Sequence, residues 1–284
     1  MRPEAWFEVL RPSLSDRKGS ALFIGTPKGR NHFYDVWTRG VDDEDGWRSF
    51  QYTTVEGANV EPEEIESAKA DLDERTFQQE YEAKFVNYSG IIYYAFSREE
   101  SVRKGVLTDD LHIGMDFNLD PMSAVVCVRE GQTLKAVDEI VMYGSNTDEM
   151  ADEIKQRYPD RRITVYPDPA SKQRKTSAGG RTDLSILQNA GFTIKVRNSH
   201  PAIRDRINAV NSRLCSTTGV RALYVDPQCK QTIASLERQT YKTGTSQPNK
   251  DDGFDHMNDA LGYLVEYLYP IRKQNQITQP QRWS

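Results

Sequence analysis

Residues 111–143, LHIGMDFNLDPMSAVVCVREGQTLKAVDEIVMY, decide the fold. They hold three β-rich runs, LHIGMDFN, SAVVCVRE and LKAVDEIVMY. Two short polar joints, NLDP and EGQT, separate them. That spacing predicts a three-strand antiparallel meander. Downstream the pattern alternates. TDEMADEIKQRY (147–158) reads as a helix capped by Thr147, with Asp148 and Glu149 in its first turn. RITVYPD (162–168) reads as a strand, LSILQNAG (184–191) as a helix closed by Gly191, and FTIKV (192–196) as a strand. AIRDRINAVNSRL, RALYVD and CKQTIASLERQTY continue as helix, strand and helix, and residues 252–269 form a last amphipathic helix. Three antiparallel strands followed by alternating helix and strand argue for an α/β domain with a mixed sheet flanked by helices.

Upstream of the sheet, SALFIGT (20–26) reads as a buried strand stopped by Pro27 and Gly29. NHFYDVWTRG (31–40) reads as a short helix. Residues 41–60 are polar and loop-like. Pro62 opens a helix in EPEEIESAKADLDE, and ERTFQQEYEAKF continues as a second helical segment with a solvated face. GTPKGRN looks like a phosphate loop but lacks the GxxxxGK[ST] pattern, and no Gly-Lys dipeptide occurs in the chain.

The 284 residues suffice for one large domain or two modest ones. No run approaches the roughly 18–20 apolar residues that span a bilayer, and no signal-peptide core opens the chain. Cys127, Cys215 and Cys229 form no CxxC pair, which excludes a sequence-evident zinc site or disulfide framework and suits a reducing cytoplasm. The net charge of −5 is unevenly spread. Residues 150–250 carry 18 basic against 8 acidic side chains, whereas residues 1–105 carry 14 against 20. A basic middle in an acidic chain points to a polyanion.

Four carboxylates stand out. Asp116 interrupts an apolar strand, and burying an acid is costly unless it is paired or binds a metal. Asp168 ends a strand at the tip where α/β sheets place functional groups. Asp255 and Asp259 lie i, i+4 on one helix face. Singly, Asp168 is a turn residue and the helix pair serves the helix dipole. Together they bring acids to one sheet edge, an arrangement that two divalent cations, Mg2+ or Mn2+, would make tolerable while promoting phosphodiester hydrolysis. His256 adds a further ligand or proton shuttle. Asp251 and Asp252 read as cap and solvation of the helix front. PASKQRKTSAGGRT (169–182) leaves directly from Asp168. Its Lys172, Arg174, Lys175 and Arg181, with Lys195, Arg197, Arg204 and Arg206, are the candidate DNA-backbone contacts. Few aromatics interleave, so base stacking is not indicated.

SALFIGTPKGRNHFYDVW, FQQEYEAKFV, IGMDFN, VYPDPA and DHMNDALGYL together resemble the large terminase subunit of tailed bacteriophages and prophages. The resemblance implies an RNase H-like nuclease over residues 106–270. A helical linker (41–105) and the end of a P-loop packaging ATPase domain (1–40) would precede it, and a polar tail (271–284) would follow. It implies an endonuclease that cuts concatemeric viral DNA during packaging, with Asp116, Asp168 and either Asp255 or Asp259 as metal ligands. Double-stranded DNA, the small terminase subunit and the portal protein are the implied partners, in the cytoplasm of the bacterial host and away from membranes. Gly25, Thr26 and Pro27 resemble the segment that couples ATP hydrolysis to motion. Walker A and B motifs are absent, so no ATPase activity is expected of this chain by itself. Another RNase H-like nuclease of resolvase type, or a non-catalytic DNA- or portal-docking module, are the alternatives.

Overall fold

The computed structural model describes residues 5–16, 18–27, 32–86, 90–118, 120–169, 182–243 and 245–271. Its centre is a six-stranded mixed sheet of order β5-β4-β1-β2-β3-β6. The strands are β1 Asp110–Asp116, β2 Met122–Glu130, β3 Thr133–Met142, β4 Arg162–Pro167, β5 Thr193–Ile194 and β6 Leu223–Val225. The expected meander forms: β1 pairs antiparallel with β2, and β2 with β3. Gly131, at φ +61°, supplies the left-handed turn between β2 and β3. The remaining strands add in parallel, β4 to β1, β5 to β4 and β6 to β3.

β2 is buried on both faces until its last two residues, as its unbroken apolar run requires of a strand covered on both sides. Alternation along it feeds two cores. Val125 and Cys127 join one; Ala124, Val126 and Val128 join the other. The second face is covered by α7 (Thr147–Arg157) through Met150, Ala151 and Ile154, and by α8 (Asp183–Asn189) through Leu187. The first face is covered by α9 (Ile203–Leu214), α10 (Lys230–Arg238) and α11 (Asp255–Leu268). Met257, Ala260, Leu261, Leu264 and Val265 of α11 enter that core. At Gly114 of β1, a Cβ would collide with the Ala260 carbonyl oxygen, so α11 rests on the bare backbone of the strand. Asn258 ties α11 to α10, donating to Ser235 O and Gln239 Oε1, both at 2.8 Å.

Upstream lie α1 (Arg11–Ser15), α2 (His32–Val41), α3 (Thr54–Gly57), α4 (Pro62–Asp71), α5 (Glu74–Glu80) and α6 (Arg98–Ser101). A π-helical stretch, Ala5–Leu10, precedes them. Pro62 begins α4 as expected. Ile65, Ala68, Leu72, Phe77 and Tyr81 form a small core of their own. This helical region packs on the sheet unit. Asp73 N donates to Ser212 Oγ (3.1 Å) and Thr217 N to Leu72 O (2.8 Å). Ile92 and Tyr93 sit inside the α9–α11 core, and Val102 bridges to Val225. The packed unit therefore begins upstream of residue 106.

Several local expectations change. SALFIGT is neither paired nor buried: Leu22 is 79% and Ile24 86% exposed. Only Phe23 turns inward, against Trp6 and Trp47. Strand-forming composition is not enough where no described strand pairs with the stretch. FTIKV shrinks to β5, a two-residue edge strand, extended by the Lys195 N–Val165 O bond at 2.9 Å. Asn146, not Thr147, caps α7 in a capping box with Glu149, while Thr147 Oγ1 donates to Asp183. α11 starts at Asp255 with Phe254 in the cap position and no side-chain cap, so Asp251 and Asp252 lie in the turn before it.

Candidate active site

The parallel register of β1 and β4 ends at Met115 opposite Pro167. One residue further, Asp116 and Asp168 leave neighbouring strand ends, and Asp168 N donates to Met115 O at 3.2 Å. Asp116 is 5% exposed. Its Oδ2 accepts from Asn118 Nδ2 (2.7 Å) and lies 3.2 Å from His256 Nδ1. Burial holds the Asp116 carboxyl above its ordinary pKa; the bond to His256 opposes this and the charge of Asp259 adds to it. The same Asp116 bond raises the His256 imidazole. Asp168 Oδ1 lies 3.3 Å from His200 Nδ1.

The helix supplies the other two acids. Asp255, 3% exposed, places Oδ2 3.0 Å from Lys250 Nζ. Its Oδ1 is 3.8 Å from His256 Nε2, buried and without a hydrogen bond. Asp259 Oδ1 pairs with Arg206 Nη1 at 2.9 Å, and its Oδ2 is 3.3 Å from Lys250 Nζ. Arg206 lies 4.2 Å above the Tyr263 ring. Burial pushes the Tyr263 phenol well above its ordinary pKa. Arg206 counters this, and the charges of Asp168, Asp259 and Asp116 reinforce it.

Among the described residues, no three His, Cys, Asp or Glu side chains already close into a coordination shell. The donor set nevertheless fits a hard divalent cation. It is carboxylate oxygen with one imidazole beside it, Asp116 is buried, and Asp255 Oδ1 is an orphaned buried acceptor.

The basic residues divide. Lys195 is exposed and Arg204 is 3.8 Å from Glu80. Arg206 does not serve as a surface phosphate contact: at 7% exposure it is committed to Asp259 and Tyr263. Arg197 keeps 37% of its side chain exposed while its Nε lies 3.1 Å from Glu266 Oε2 and its Nη2 donates to Glu266 O at 3.0 Å. Lys172, Arg174, Lys175 and Arg181 fall outside the described residues. Gly25 and Thr26 are exposed and Pro27 is buried; Gly25 and Pro27 line a cavity of about 620 Å³ together with Phe33, Trp37, Trp47 and Phe85. Sequence reasoning missed Asn118, Lys250 and Tyr263. Asn118, two residues after Asp116, carried the one local signal, the short reach of an Asx side chain to a neighbour.

A three-strand meander extended by parallel strands, with acids at the ends of β1 and β4 and on the helix crossing β1, defines an RNase H-like domain. Residues 113–268 match the family model described as the terminase RNase H-like domain, and the chain belongs to that family. It is 26% identical over 284 residues to the large terminase subunit of Escherichia phage T5, an alignment covering 92% of this chain and 61% of that protein. The chain thus spans about three-fifths of that curated relative. The large terminase of Thermus phage G20c is 31% identical over 108 residues, covering 31% of this chain and 21% of its own. The fold is shared with the large terminase of a thermophilic bacteriophage, solved in complex with ATP-gamma-S. There the TM-score is 0.66 at 17% identity, over 93% of this chain and 68% of that one.

Proposed function

We propose that the chain is a divalent-metal-dependent DNA endonuclease that cuts concatemeric viral DNA as genomes are packaged into procapsids. One observation carries the reading: Asp116 and Asp168 leave the adjoining ends of β1 and β4, and α11, packed on β1 at Gly114, sets His256 3.2 Å from Asp116 beside its own two acids. Like charges so grouped favour a divalent counter-ion. Asp116 and Asp168, with Asp255 or Asp259 from α11, would hold two Mg2+ or Mn2+ ions. When bound, such ions supply Lewis acidity toward a phosphodiester.

The protein side chains divide the remaining work. Asn118 and His256 fix the Asp116 carboxylate, and His256 is placed to move a proton beside it. Arg206 fixes Asp259. Lys195 and Arg204, with Lys172, Arg174, Lys175 and Arg181, hold backbone phosphates of double-stranded DNA. In this reading residues 1–40, including Gly25 to Pro27, close a packaging ATPase domain, and residues 41–105 connect it to the nuclease. The small terminase subunit and the portal are the protein partners, in the host cytoplasm.

The test is plasmid cleavage by the purified chain in Mn2+, Mg2+ or EDTA, run beside Asp116→Asn. Nicking and linearisation that need metal and vanish in the variant are expected. Equal cleavage by both proteins would sink the assignment.

A further inference from the structure

Asp255 and Asp259 lie one helical turn apart and repel each other. Two cations answer them, and they are built differently. Arg206 is 8% exposed at its side chain, sits over Tyr263, and takes Asp259 Oδ1 alone. Lys250 is 52% exposed, comes from the turn ahead of α11, and reaches both acids through their Oδ2 atoms, at 3.0 and 3.3 Å. Arg206 is held by packing on several sides. Lys250 is a hydrated point charge on a four-carbon stem, held by the two ion pairs.

We propose that Lys250 is a resident counter-cation for the α11 acids, displaced when a divalent ion enters the site. The inference rests on the metal-dependent reading above and specifies how that site is kept when empty of metal. Its ammonium takes the Asp259 oxygen that Arg206 leaves over, the one a metal would need. A doubly charged ion outcompetes it electrostatically, and the half-exposed side chain swings out into water at little cost in packing. Arg206 stays in place throughout, so Asp259 keeps its orientation in both states.

Competition and simple structural support predict opposite signs. Mn2+ is titrated calorimetrically into the wild type, Lys250→Met and Lys250→Arg, without DNA. Displacement predicts roughly three- to tenfold tighter Mn2+ binding by Lys250→Met, and near-wild-type binding by Lys250→Arg. Equal or weaker binding by Lys250→Met overturns it. A wild type that binds no Mn2+ overturns the metal-site reading instead, so the two failures are distinct. A second measurement needs no variant. The Lys250 amine is labelled in the wild type with an acylating ester and quantified by peptide mass spectrometry. Faster labelling in Mn2+ than in EDTA supports displacement, and an unchanged rate refutes it.

Discussion

Arg206 Nη1 stands 2.9 Å from Asp259 Oδ1, and both side chains are largely shielded from water. The pair ties α9 to α11 at the point where the helix crosses the strand ends. It also leaves a charge that the fold cannot abandon. Removing one partner of a buried pair costs more than the pair itself contributes.

Asp259→Asn is therefore expected to destabilise the metal-free protein by about 3 kcal/mol, because Arg206 stays buried and loses its counter-charge. Asp116→Asn behaves differently. Burial disfavours the Asp116 carboxylate, and the amide removes that penalty, so stability at neutral pH is unchanged or higher. Both variants are expected to lose the metal-dependent cleavage proposed for the chain. Urea melts beside plasmid assays would separate the two roles; equal destabilisation in both would contradict the argument.

Gly114→Ala tests the contact between β1 and α11. The added methyl meets the Ala260 carbonyl, a backbone atom that cannot rotate away. A loss of about 1–3 kcal/mol is expected. Cleavage falls as well, although Gly114 carries no functional group, because Asp259 is the neighbour of Ala260. Wild-type activity in this variant would show that the helix position is not critical.

His112 gives a pH signature away from the acids. Its Nδ1 is 2.9 Å from Tyr166 Oη, and burial lowers its pKa, with Arg129 adding and Asp110 opposing. A histidine depressed in the fold contributes stability that is fully present above its unfolded pKa of about 6.5. That contribution is lost as pH falls from there through the folded value. The stability advantage of wild type over His112→Gln is expected to shrink between pH 8 and pH 5. A constant difference in urea midpoint would count against it.

Tyr94 reaches from the segment before β1 to the buried Asp73, which also accepts from Thr76 Oγ1 at 2.6 Å. Tyr94→Phe leaves that carboxylate short of one donor. A loss of about 1–3 kcal/mol is expected. The change loosens the grip of α5 on α9 and shows as faster amide exchange around Asp73 and Ser212. Unaltered exchange there would exclude the coupling.

The parts legible from sequence were those where one local signal coincided with a tertiary demand. The unbroken apolar run of β2 specifies a strand covered on both faces, and the short polar joints around it specify the meander because they are too short for a parallel crossover. Asp116 announced itself as an acid among Ile113, Met115 and Phe117. Where tertiary partners decide, the sequence was silent or misleading. SALFIGT has strand composition but no described neighbour to pair with. Arg206 read as a surface cation because side-chain type does not reveal which face of α9 meets α11. Lys250 was hidden among polar residues, and only the docked helix shows which acids it serves.

The order of acids along the chain has a consequence for synthesis. Asp116 leaves the ribosome first, Asp168 next and Asp259 last. No cluster exists until α11 has emerged and settled over Gly114. With the cutting chemistry proposed, an unfinished polypeptide is harmless to the chromosome of the cell making it. The topology itself delays the hazard until translation has passed α11.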